Sequence, residues 1–239
     1  MAIQFQNIQI IRNTAQISTL PVVSGSINVW VWGDSNLNLL TASIINGFAY
    51  AGYTASVSSA LLGSTWNGDM ITGSNPPDVL LYWQNGGNYG GSNLTKNIRK
   101  YLNNGGGFIT SVFVPSIPPT NWDIKITPLS GTAVQGNALL GTGSLVSSSA
   151  ILQGVDLALN QASSRTYFYE SIGTPVTQSG AVVTARWPSI NQPLLVEQIS
   201  GSNSARLAWI NFFLPNATNN ATGSRRLLTR ALLWGAKQI

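Results

Sequence analysis

The sequence predicts an α/β fold, a largely parallel sheet with helices on both faces, and three observations carry that expectation. Short runs rich in Val, Ile, Leu and Trp alternate with segments whose apolar residues recur every three or four positions. One run, "PPDVLLYWQ" (76–84), is almost continuously apolar, as a parallel strand covered on both faces must be. Near the end, "QPLLVEQISG" (192–201) and "ARLAWINFFLP" (205–215) alternate and are joined by "SGSNS", a hairpin signal.

Residues 1–26 form a leader, an extended arm with Ile3, Phe5, Ile8 and Ile10 at strand-like positions. It either adds a strand to a neighbouring subunit or lies as an edge strand on its own sheet. The domain proper spans 27–239. "INVWVWG" (27–33) reads as its first strand, and Asp34 and Ser35 are placed to cap the helix that follows. Leu37, Leu40, Ile44, Phe48 and Ala51 make that helix's apolar stripe, with Gly52 as its stop. "YTASVSS" is the second strand and 76–84 the third. Leu94, Ile98, Tyr101 and Leu102 line one face of a second helix. "NNGGGF" then ends the helix and turns tightly into strand "FITSVFV" (108–114), a turn that needs glycine for backbone reasons. Residues from about 115 to 180, rich in Pro, Gly, Ser and Thr, read as a loop-rich insertion. Strand "GAVVTARW" (180–187), the hairpin and a helix over 224–236 complete the order.

Charged residues make up 8% of the chain, against about a quarter in an average soluble protein. With 44% hydrophobic residues the chain is not disordered, and its polar surface is built from Ser, Thr, Asn and Gln. Such a composition suits a protein covered by neighbours or working outside the cytosol. The net charge of +5 reflects few acids rather than many bases. Arg225, Arg226 and Arg230 form the one dense basic group and read as a solvated helix face, so no nucleic acid is expected. Residues 35–68 carry no charge, but Asn46, Gly47 and Gly52 break the run, so no membrane span is expected. "MAIQFQNIQIIRN" lacks the continuous apolar stretch of a secretory signal.

The chain contains neither cysteine nor histidine. Thiolate nucleophiles, iron–sulfur clusters, disulfides and imidazole base catalysis are excluded together. No metal or cofactor is expected. In open α/β sheets ligands sit beyond the carboxyl ends of the strands, which places Asp34, Ser35, Gln84, Asn85 and Ser111 on the candidate rim, with Trp122 in the loop beyond. Asp34 reads either as a ligand-binding carboxylate or as an ordinary helix-capping acid. Of the eight tryptophans, Trp30, Trp32, Trp83, Trp209 and Trp234 are expected in the core. Trp66, Trp122 and Trp187 fall in or beside loops.

"DVLLYWQNGG", "LTKNIRKYLNNGGGFITSVF", Trp122, "ILQGVD", "AVVTARW", "PLLVEQISGSNSARLAWINFFLP" and "RRLLTRALLWGA" together resemble the class I glutamine amidotransferase-like fold, in its trehalose-utilisation-protein-like branch, over about residues 27–236. The resemblance implies a flavodoxin-like three-layer architecture with an antiparallel C-terminal hairpin. It also implies a cysteine at a strand-to-helix elbow with a histidine partner, and in this branch a histidine after the Gly-rich strand. This sequence has Thr110, Ser111 and Val112 in that neighbourhood, so thiol–imidazole activation and a histidine-bound metal are absent.

Two functions are therefore expected. The favoured one is a non-catalytic structural or assembly subunit of a larger complex, of the kind found in a virion or surface lattice, whose partners are protein subunits. The alternative is a carbohydrate-binding module, or a hydrolase that uses Asp34 and a second acid on a glycan.

Overall fold

The computed structural model describes residues 25–33, 36–61, 69–83, 93–111, 129–130, 133–138, 141–159, 166–171, 176–177, 179–212, 214 and 223–239. Strand β1 (Ser26–Gly33) leads through helix α1 (Leu37–Tyr50) to β2 (Thr54–Leu61). A short 3-10 turn (Asp69–Thr72) precedes β3 (Val79–Tyr82), then helix α2 (Leu94–Asn103) and β4 (Gly107–Ser111). β5 (Leu129–Ser130), β6 (Ala133–Ala138), β7 (Ser144–Leu145), β8 (Thr166–Ser171) and β9 (Val176–Thr177) are followed by β10 (Ala181–Trp187), β11 (Gln192–Ser200), β12 (Ala205–Ile210) and helix α3 (Ser224–Gly235).

The central sheet has eight strands in the order β2-β1-β3-β4-β12-β11-β10-β7. β2, β1, β3, β4 and β12 run parallel, whereas β11, β10 and β7 join antiparallel. This is the flavodoxin-like α/β arrangement with an antiparallel C-terminal part. The expected third strand was read as 76–84 and is four residues long, 79–82. β5 pairs with β9, and β6 with β8, as two small ladders apart from the main sheet.

Alternation along the parallel strands sorts the core into two layers. Val29, Val31, Val79, Leu81, Ile109, Ala208 and Ile210 face α1, α3 and the 151–159 segment. Trp32, Leu80, Tyr82, Phe108 and Leu207 face α2 and the 3-10 turn. In the β2-to-β3 crossover the 3-10 turn is the one element among the described residues. Trp30, expected in the core, is half-buried on this face of β1.

The three-glycine turn owes its sequence to packing. Gly105 adopts φ 85°, the left-handed conformation that ends α2. Gly106 lies under the Tyr101 ring, and a Cβ on Gly107 would stand 2.8 Å from the Gly235 Cα. Tyr101 completes the joint: its buried hydroxyl accepts the Gly107 N–H (3.2 Å) and faces the carbonyl oxygens of Gly107 (3.0 Å) and Pro77 (3.2 Å). Burial raises the Tyr101 pKa well above the usual phenol range. The turn is at the amino end of β4, opposite the edge where open α/β sheets bind ligands.

Candidate functional site

The strand order reverses at β1, which lies between β2 and β3, so the switch-point crevice opens beyond Gly33 and Tyr82. An indole packs at this end of the sheet. Trp83 donates its backbone N–H to the Trp32 carbonyl (2.9 Å), and a Cβ on Gly33 would stand 2.6 Å from Trp83 Cδ1. Trp83 is fully buried in the α1/α3-side core.

Ser111 ends β4 one position beyond the Tyr82–Thr110 pair and in register with Ile210. Its hydroxyl is fully buried and makes no hydrogen bond among the described residues. A serine becomes a nucleophile through an adjacent base, and four acids, Asp69, Asp78, Asp156 and Glu197, have hydrogen-bond partners of their own. Asp69 accepts from Asn97 Nδ2 (2.7 Å), Asp78 from the Asn28 N–H (2.7 Å), and Asp156 from the Ala158 N–H (2.9 Å). Glu197 accepts from Ser149 Oγ and from Thr184 Oγ1 (2.8 Å). Burial raises the Glu197 pKa above the ordinary carboxylate range, against the lowering effect of those two hydroxyls. Ser149 Oγ in turn accepts the N–H groups of Ile151 and Leu152, so this network anchors the 149–152 turn to the sheet. Among the described residues no group of three or more Asp or Glu side chains is arranged to hold a metal ion.

Asp34, Ser35, Gln84, Asn85 and Trp122 lie outside the described residues, as do Ile3, Phe5, Ile8 and Ile10 of the leader. Trp187, set apart in the sequence as a loop-side aromatic, is fully buried and donates Nε1–H to the Asn211 carbonyl (2.9 Å). Asn211 donates Nδ2–H to the Pro193 carbonyl (2.8 Å) and ties the ends of β11 and β12 together. Both are structural.

Sequence reasoning missed a second concavity. A shallow cavity of about 480 Å³ lies on the α2 side of β1 and β2, floored by Trp30 and ringed by Ser26, Asn28, Ser56, Ser58, Asn75 and Asp78. Its signal was present in the strands: Ser56 and Ser58 share a phase with Trp30, which marks a wet sheet face.

No helix among the described residues is long and apolar enough to cross a membrane. No protein-family model matches the sequence, and no curated protein does. Solved structures do. A protein described as ThuA-like from Parabacteroides merdae ATCC 43184 superposes with a TM-score of 0.57 at 13% identity, covering 90% of this chain and 91% of its own. A ThuA-like protein from Bacteroides uniformis ATCC 8492 gives 0.61 at 10% identity, covering 87% and 91%. At these identities the likeness is one of fold, in keeping with the ThuA-like branch of the amidotransferase-like architecture.

Proposed function

We propose that this protein is a non-catalytic structural subunit that assembles with further copies of itself through the flank formed by α1 and β2. The observation that carries the reading is that this flank is uncharged and, among the described residues, its edge is unguarded. Among the described residues β2 pairs with β1 alone, in unbroken register over eight residues, with no proline, charge or bulge to blunt it. Free monomers protect such an edge, because its open backbone groups template pairing with another chain. The adjoining helix α1 also carries no charge. Leu39 and Leu61 are 55% and 68% exposed, and with Asn36 and Ser59 they line a hollow of about 510 Å³ at the upper end of the flank. Depletion of charge is what distinguishes interface cores from ordinary surface.

The occupant is the leader of a neighbouring copy, whose Ile3, Phe5, Ile8 and Ile10 give it the pattern of a strand in need of an edge. The absence of cysteine and histidine removes the chemistry usual to the fold and supports the same reading. Light scattering over a concentration series tests it. The full chain is expected to give masses above the monomer, and Phe5→Asp with Ile8→Asp to return it to monomer. A full chain that stays monomeric throughout contradicts the proposal.

One observation favours a second reading, glycan binding. The Trp30 cavity offers a half-buried indole among hydroxyl, amide and carboxylate groups, a pairing of apolar face and polar rim that suits a sugar ring. Screening on a glycan array separates the two, since the structural reading predicts no ligand there. A hit abolished by Trp30→Ala would establish the second.

A further inference from the structure

The arginines of α3, which the sequence suggests form a solvated helix face, are instead gathered at a cavity. Arg225 donates through Nε to Ser43 Oγ of α1 at 3.2 Å. Arg230 donates through Nε to the Ile151 carbonyl (3.0 Å) and through Nη2 to that of Ala150. Towards the carboxyl end of α1 a cavity of about 490 Å³ opens between the two helices and Gln153. Tyr50, Tyr53 and Leu233 form part of its wall, Arg226 and Arg230 line it together with the Ser43-bound Arg225, and no aspartate or glutamate is among its described lining residues.

Each arginine is placed for a task. Arg230 is held through Nε and Nη2, which leaves Nη1 without a partner among the described residues and fixes the plane of the fork. Arg226 rests beside Gly154, where a Cβ would meet its Nη2 at 2.9 Å. The two like charges oppose each other: Arg230 is held below the usual arginine range by burial and then by Arg226, with Tyr53 acting in the other direction. A dianion between them would relieve that repulsion. Planar guanidinium forks bind phosphate oxygens in pairs, and the volume falls within the roughly 300–1,000 Å³ of small-molecule sites.

We propose that this cavity binds a phosphomonoester on a flat ring body, the phosphate held by Arg226 and Arg230 and the ring set against Tyr50, Tyr53 and Leu233. The site is separate from the strand-end crevice and from the edge of β2, and it does not depend on the assembly reading. Isothermal titration of the full chain with phenyl phosphate at low salt tests it, with inorganic phosphate and the variants Arg226→Gln and Arg99→Gln alongside. Arg226 and Arg99 are both exposed, so neither substitution threatens the core. Saturable binding is expected, weakened about tenfold or more by Arg226→Gln, unchanged by Arg99→Gln, and tighter than that of inorganic phosphate. Three results would overturn the proposal: no saturable binding, equal loss in both variants, which marks diffuse charge attraction, or equal affinity for inorganic phosphate, which removes the ring.

Discussion

Gly107 shows how little freedom the central joint has. Its Cα faces the Gly235 backbone, so an added methyl meets main-chain atoms that no rotamer change can move. Gly107→Ala is therefore expected to cost about 3 kcal/mol or more, among the larger effects of a single substitution, read from the midpoint of urea unfolding. An unchanged midpoint would show that β4 and α3 are less tightly joined than described. Glu197 gives the pH counterpart. Its carboxyl is raised by burial, so the folded chain holds a proton that the unfolded chain has released. That contribution is full below the ordinary carboxyl pKa near 4.5 and is lost as pH rises through the raised value. Glu197→Gln keeps an acceptor for Ser149 and Thr184 and removes the titration. Its melting temperature should thus lack the decline that the parent chain shows above about pH 4.5, and a parent profile identical to the variant's would refute the assignment.

Among elements, what was legible in the sequence was what periodicity encodes. The stripe of Leu40, Ile44 and Phe48 marked α1, and the β11–β12 alternation marked the hairpin, because each element buries one side against a single layer. The glycine turn was also read correctly as structural, although its particular partners, the Tyr101 ring and the Gly235 backbone, are residues no local pattern can pair with it. Trp30, expected in the core, is half-buried, whereas Trp187, which the sequence sets beside a loop, is fully buried. Burial of an aromatic depends on which element covers the sheet above it, and Trp30 lies on the face where the crossover shows only a 3-10 turn among the described residues. The Arg226–Arg230 pair was visible as a charge group, but its tyrosines come from the end of α1 and the turn after it, most of the chain away. At this scale the assembly reading makes its own prediction. In the full chain at high concentration, backbone amides of β2 should be protected from hydrogen exchange, although β2 is an edge strand among the described residues of one copy. Exchange at the rate of open edges would speak for a bare flank.

For the whole molecule, absence of chemistry and distribution of charge point the same way. At the carboxyl ends of the parallel strands Trp83 packs against Gly33, and the buried Ser111 hydroxyl has no hydrogen-bond partner among the described residues. Charge is missing from the whole α1–β2 unit, while the groove along α3 concentrates it. On the proposed reading the eight-residue, uncharged edge of β2, unguarded among the described residues, is where a neighbouring copy pairs. The most direct measurement is the solution mass of the full chain by light scattering over a concentration series, beside the variant Ser59→Lys with Leu61→Lys. Both positions are exposed on β2, and lysine is what natural edges use to refuse a partner. The account predicts that the parent chain associates and the lysine variant stays a folded monomer; a parent chain that is monomeric at every concentration, or a variant that associates equally well, contradicts it.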